Sequence, residues 1–551
     1  MSSLIKSLSL KNFKGFSEEV HIELRPITLL FGANSAGKSS VLQALQLARE
    51  ILERGDANID RTRQGGDTID LGGFCNFVHN RDLSREVTLT VELELGDDSI
   101  PEFFEDAIED RSDVDAEVWR FHETLDIIRN QVKQVAVRLN VSWSDFLETV
   151  VISGYRVDFN GDWCAEVVTD RTGQQPKLSL NVRHAIFEGT NIESGDLFDA
   201  VAHWVRPDAP DAFGDELGLV RKQTEYGLHY GSIPESVLLP VLDVVFSAYA
   251  DSPNAGFSAW LRDFRGALPR LDKPIQIPAG RPETASNVFV LQEFSAFMSW
   301  LLIGPCRLLL DQLKKSRYLG PLRRIPPRDF DHALTKNEGA WSDGMAAWQA
   351  LLGGTDQLVA ACSEWMGHPQ KLATGYGLKR SILREFDVSG PEPVPLGDKR
   401  RRLTLLDGAG LPHLPQDVGV GISQVLPVVV AAQDRSAGLV TIEQPELHIH
   451  PAVQVGLGDL FIDGAMQHGL SFLIETHSEH LILRLLRRIR EAHLGDLAEG
   501  LPELHPDDVA INCLTRTDGA VRVDRIPVTV EGDFAKRWPQ GFFDERGAEL
   551  F

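Results

Sequence analysis

Short apolar runs and amphipathic stretches alternate at both ends of the chain, and that rhythm is lost between them. Near the start, Leu8, Leu10 and Phe13 precede the alternating His21-Ile22-Glu23-Leu24, a pattern of short strands. Residues 27–31 (Ile-Thr-Leu-Leu-Phe) are a continuous apolar and β-branched run that ends at Gly32, as a strand buried on both faces does. Val41, Leu42, Leu45, Leu47 and Ala48 then give residues 38–52 one apolar helical face. Residues 87–95 (VTLTVELEL) alternate cleanly, which predicts an antiparallel strand with one wet face. Further on, 439–442 and 472–474 are again short buried-strand runs, and a helix is predicted after each. This rhythm predicts an α/β fold, a parallel sheet with covering helices.

From 96 to about 300 the pattern changes. The stretch opens acid-rich, and helical periods then mix with short strands at 155–159 and 165–169. No heptad run is long enough for a coiled coil. We therefore expect 1–95 and 301–551 to build one head together, with 96–300 as a mixed, mostly helical inserted lobe. The Pro-rich 391–402 segment reads as an exposed loop, and its Lys399-Arg400-Arg401-Arg402 run is the most basic spot in the chain.

A length of 551 residues allows roughly three to four domain-sized units. A net charge of −25 argues against a wholesale nucleic-acid coat, although one local basic patch stays compatible with it. Cys75, Cys164, Cys306, Cys362 and Cys513 are scattered without a CxxC pair, so zinc modules and a disulfide framework are not expected. That cysteine usage fits a reducing cytoplasm. The first residues carry no secretory apolar region, and no apolar stretch reaches the ~18 residues of a membrane helix. The expectation is a soluble cytoplasmic protein without a membrane partner.

Gly32-Ala33-Asn34-Ser35-Ala36-Gly37-Lys38-Ser39 fits G-x-x-x-x-G-K-[ST], directly after a predicted strand and before a predicted helix. Glycines let such a loop wrap an anion, and its N–H groups, with Ser40 in the first helical turn, face phosphates. Lys38 then reaches the β- and γ-phosphates, and Ser39 ligates Mg²⁺. The plain alternative is a Gly-rich turn that merely starts a helix. A phosphate loop needs an acid on a strand end, and Glu443 after 439–442 is the expected metal acid. Gln444 follows it and cannot accept a proton as a carboxylate does, so hydrolysis is expected to be slow or to draw on Glu446. His477 ends the next strand run, placed to contact a γ-phosphate or a water. Gly421, Ser423 and Gln424 lie in Val418-Gly419-Val420-Gly421-Ile422-Ser423-Gln424, a second anion-binding helix start or else a packing turn. His448, His450, His477 and His480 could be taken for a metal site, but H-x-H before a proline reads better as a turn.

In this order, N-F-K-G-F, the phosphate loop, G-V-G-I-S-Q-V-L-P, I-E-Q-P-E-L-H-I-H-P and T-H-S-E-H resemble the SMC-like, ABC-type AAA-family ATPases of prokaryotes, relatives of the OLD-family and Septu-type defence ATPases. The likeness covers roughly 1–95 and 301–551. Residues 538–545 resemble the end of a subgroup with a DUF3696 tail. Tyr318-Leu319-Gly320-Pro321-Leu322-Arg323 also looks like a family segment, with Arg323 and Arg324 read as surface charges. Asn76 is a weak stand-in for the family's Q-loop glutamine. With about seventy residues after His480, an OLD-type nuclease domain, and so intrinsic nuclease activity, is not expected.

The resemblance implies an ABC-type head that binds ATP and Mg²⁺. Two copies would sandwich ATP between Lys38, Ser39, Glu443 and His477 of one and Gly421 and Ser423 of the other. Such a homodimer, or a higher homo-oligomer, would gate a separate effector, a nuclease or toxin, in anti-phage defence. Two other readings stay open. One is an ATP-held scaffold with little turnover, in which Gln444→Glu raises the rate. The other is an SMC-like repair ATPase stimulated by DNA.

Overall fold

The computed structural model describes residues 4–57, 70–96, 99–103, 126, 128–181, 184–187, 264–275, 285–328, 330, 341–517 and 519–536. Much of the 96–300 stretch, and the 538–545 segment likened to a family tail, lie outside them. The chain forms two compact units. One comprises 1–13, 47–65 and 71–312; the other comprises 14–46, 66–70 and 313–551.

Strands are numbered in chain order. In the first unit, β1 (Leu4–Lys11), β4 (Val87–Glu94), β5 (Gln134–Ser144), β6 (Thr149–Phe159), β7 (Asp162–Val168) and β8 (Lys177–Leu180) follow one another across an antiparallel sheet. The alternation seen in sequence at 87–95 continues in β5, where Val135, Val137, Leu139 and Val141 turn to the core. The Ala285–Leu302 helix closes that core, with Phe159 and Trp300 ring centroids 5.4 Å apart and the buried Tyr155 hydroxyl donating to Leu302 O. Sequence predicts a mixed, mostly helical insert; among its described residues, strands β5–β8 continue the sheet of β1 and β4, and the Ala285–Leu302 helix packs on them. β4 and β5 pair along their length. Half-buried alternating strands carry a weaker signal than helical periods, which is why β5 does not stand out in the sequence.

The second unit holds a sheet in the order β16 (Ala520–Arg525), β15 (Val509–Thr517), β3 (Ile27–Gly32), β14 (Ser471–Glu475), β13 (Leu439–Glu443) and β9 (Arg317–Leu319). β15, β3, β14, β13 and β9 are parallel, and β16 returns antiparallel at the edge. β3 and β13 are buried along their whole length, as their unbroken apolar runs require. The helices Val420–Gln433, Pro451–His468 and Glu479–Leu494 share one core with them. The α/β expectation therefore holds, with strands from both chain ends in one sheet. The expected loop at 391–402 is a strand from Val394 onward. It belongs to a hairpin of β10 (Gly377–Asp387) and β11 (Val394–Leu406), where Arg400, Arg401 and Arg402 pair with Leu383, Ile382 and Ser381. The run is exposed, and Arg401 donates to Leu352 O.

Candidate functional site

In an open parallel sheet, ligands gather beyond the carboxyl ends of the strands. Here β3, β13 and β14 end side by side, and the motif residues follow each end. β3 stops at Gly32 with φ +142°, where an added Cβ would lie 2.2 Å from Leu514 O. Ser35 (φ +62°) and Gly37 (φ +97°) continue the left-handed turn into the Lys38–Arg54 helix. Ala33, Asn34 and Ser35 are exposed at the loop crest, while Ala36 and Ser40 are tucked in. Lys38 is almost wholly buried. Its Nζ donates to Gly32 O at 3.0 Å and to Ala33 O at 2.9 Å, so the lysine caps its own loop.

Lys38 Nζ also lies 3.9 Å from Glu475 Oε1. The Ser39 hydroxyl donates to Glu475 Oε2 at 2.6 Å, and it is within hydrogen-bonding reach of Glu443 too. Glu443 and Glu475 stand directly opposite in the β13–β14 register. From sequence, Glu443 is the expected metal acid and Glu475 has no assigned role. The structure puts both carboxylates at Ser39, with Glu475 on the strand next to the phosphate loop. Burial pushes Glu475 up to about 7, and the neighbouring Glu443 charge adds to the rise. Burial raises Glu443 as well, against the Tyr318 hydroxyl that donates to its Oε1 at 2.6 Å.

Beyond β13 the chain turns sharply through Gln444 (φ +45°), whose N–H donates to Glu475 O. This turn brings Glu446 back to the site. Glu446 Oε1 accepts from His477 N at 2.6 Å, and Oε2 accepts from the Thr476 hydroxyl at 2.8 Å. Burial raises the Glu446 carboxyl, and its charge is felt at Lys38. His477 is half-buried, and burial followed by Lys38 lowers its imidazole, which keeps it neutral near pH 7. Ser478 accepts from Leu481 N and starts the Glu479–Leu494 helix. His450 does the same for Pro451–His468 through Ala452 N, while His448 and His480 are exposed. The H-x-H pair thus serves the turn and the helix cap.

The second glycine-rich segment starts the Val420–Gln433 helix, with Gly419 and Val420 exposed. Gly421 packs where an added Cβ would meet His448 O at 2.5 Å. Ser423 is fully buried and donates to Pro415 O, and Gln424 is buried against Arg323. These two side chains therefore face into their own unit. A cleft of about 1070 Å³ runs beside this segment, bordered by Gly419, Gly421, His448, His450 and Arg484, and it touches neither Lys38 nor Glu475.

Besides Glu475, two residues take places that the sequence does not announce. Arg323 is buried, not a surface charge, and its Nη2 donates to Glu443 O at 2.6 Å; Arg324 is exposed and pairs with Asp343. Lys14, in the N-F-K-G-F segment, holds a left-handed backbone (φ +49°), bonds Gln43 through Nζ and feels the Glu443 charge. A lysine before a glycine at a tight turn was the available signal. Asn76 spends its amide on Gly72 O within its own turn.

Residues 4–142 match the sequence profile of the AAA ATPase domain, a match that includes the phosphate loop and supports ATP binding there. No curated protein matches the chain. Solved SMC head domains align over nearly the whole chain at low scores. The head with an extended coiled coil bound to the C-terminal domain of ScpA, from Pyrococcus furiosus, is 12% identical, covering 95% of this chain and 96% of that one at a TM-score of 0.35. The head domain from Thermotoga maritima is 8% identical, covering 96% and 99% at 0.34. Among the described residues no helix is long and apolar enough to cross a membrane.

Proposed function

We propose that this protein binds and hydrolyses Mg-ATP at the ends of β3, β14 and β13, and that the nucleotide switches its assembly state. The observation that carries this is the loop of Lys38 and Ser39 set against Glu475, Glu443 and Glu446. The donor set fits a hard cation: one hydroxyl and two carboxylates whose mutual repulsion a divalent ion would relieve. Ser39, Glu443 and Glu475 would hold it, and a bound Mg²⁺ supplies charge neutralisation and orientation of the phosphates.

This chain's own residues do the rest. Lys38 exchanges the Gly32 and Ala33 carbonyls for phosphate oxygens. Glu446 takes the proton of the attacking water, because each of its oxygens keeps a lone pair after accepting from His477 and Thr476. Gln444 instead shapes the turn that delivers Glu446. Neutral His477 holds the water or the terminal phosphate. Two copies close head to head through the exposed Gly419–Val420 start, and the differential affinity of ATP for the closed pair drives the switch. Control of a separate effector, in prokaryotic defence, is the biological setting this reading predicts by analogy.

Steady-state phosphate release tests it. Lys38→Ala abolishes turnover. Glu446→Gln lowers kcat by about a hundredfold, within the range for a lost general base, and leaves ATP affinity nearly unchanged. Gln444→Glu changes the rate less than about threefold. A large gain from Gln444→Glu would instead favour the ATP-held scaffold.

A further inference from the structure

The Tyr318–Arg323 segment is unused by the chemistry above, yet it touches Glu443 twice. Tyr318 donates to the carboxylate, and Arg323 donates to the main-chain carbonyl of the same residue. Arg323 also grips the first turn of the Val420–Gln433 helix. Its N–H donates to Gln424 Oε1 at 3.1 Å, its carbonyl accepts from Gln424 Nε2, and its Nη1 reaches Gln424 O at 3.5 Å. One arginine therefore bridges the segment that a second copy would press on and the strand end that holds the acids.

The bridge is braced from behind. Gly320 N donates to Ser342 O at 2.8 Å, and Arg324 N to Asp343 O at 2.7 Å. Gly344 (φ +79°) leaves no slack, since an added Cβ would lie 3.2 Å from Arg323 Cβ and 3.1 Å from Pro427 Cγ. The guanidinium is nearly sealed from solvent and makes no ion pair among the described residues. Its Nε is buried without a hydrogen-bond partner among the described residues. A buried charge on carbonyls, with one donor unused, is a poor device for stability alone. It suits a connection that exchanges partners when either end moves.

We propose that Arg323 is a positioning residue that couples the start of the Val420–Gln433 helix to the Glu443–Glu446 turn, with Tyr318 fixing the carboxylate end of the same link. The coupling to turnover rests on the ATPase reading; the mechanical link does not. Movement at Gly421–Gln424 would shift Gln424, drag the Arg323 backbone and re-aim Glu443.

Two measurements on the full chain separate these levels. In nucleotide-free protein, hydrogen exchange is followed in peptides spanning 420–426 and 443–447. Gln424→Leu, whose amide bonds go to Arg323, is expected to speed exchange in 443–447 by at least about tenfold, and Lys38→Ala is expected not to. Adding Arg323→Met to Gln424→Leu should produce no further gain. An unchanged 443–447 peptide, or effects that multiply, overturns the link. With Mg-ATP, Arg323→Met and the milder Arg323→Lys should lower kcat more than about tenfold while KM stays within about threefold. Parallel losses of kcat, KM and thermal stability would mean a merely structural arginine. If wild type binds no Mg-ATP, the ATPase reading fails, and the exchange experiment still decides the link.

Discussion

Glu475 is the residue whose environment says most about the site. It is nearly buried, touches Ser39 and faces Glu443, and burial pushes its carboxyl up to about 7. A carboxyl raised above its unfolded value binds a proton more tightly in the fold. Its ionisation therefore costs stability that is absent below the unfolded pKa and fully felt above about pH 7. In metal-free protein, Glu475→Gln should raise the melting temperature at pH 8 and have little effect near pH 5. Calorimetry at the two pH values checks this, and equal shifts at both would sink it. A cation that binds the ionised form must displace that proton. Mg²⁺ affinity in the presence of nucleotide should thus rise about tenfold from pH 6 to pH 8, and Glu475→Gln should flatten the profile. Gly32 makes a second residue-scale case. Gly32→Ala places a Cβ against Leu514 O at a left-handed φ, and should cost about 2 kcal/mol or more in urea unfolding.

At the scale of elements, the helices behind the sheet carry the ends that matter. Pro451–His468 and Glu479–Leu494 begin at caps made by His450 and Ser478, directly after the Glu446 and His477 turns. They are locked together by Asp459, which accepts from Arg488 Nε at 2.7 Å and Nη2 at 3.0 Å and lies 3.4 Å from Arg484. Deleting one partner leaves a buried charge uncompensated. Asp459→Ala should therefore destabilise by about 3 kcal/mol, read from a denaturant midpoint at constant slope. A loss under about 1 kcal/mol would show that Glu491, also bonded to Arg488, is enough to hold it.

For the whole molecule, the prediction concerns assembly. Glu446→Gln should trap nucleotide and sediment as a dimer with Mg-ATP, but as a monomer without it. Val420→Glu puts a charge at the exposed start of the Val420–Gln433 helix, and should keep the protein monomeric while ATP still binds. If that variant dimerises like its parent, the head-to-head interface lies elsewhere. The net charge of −25 adds a second expectation: association should strengthen with salt as repulsion between copies is screened.

The phosphate loop, the strand ends at Glu443 and His477 and the glycine-rich helix start were legible in the sequence. Each depends on backbone freedom and apolar spacing set within a few residues. The partners of those residues were not legible. Glu475 meets Ser39 because β14 inserts between β3 and β13, an order fixed by packing between distant parts of the chain. Glu446, more than Gln444, reaches the site because of one left-handed residue after β13. Arg323 looked like surface charge because its bonds are to carbonyls and an amide about a hundred residues away, and hydrogen bonds to backbone leave no mark in composition. Local chemistry wrote the glycine-rich loop before Lys38; only the strand order decided which carboxylates and which arginine stand around it.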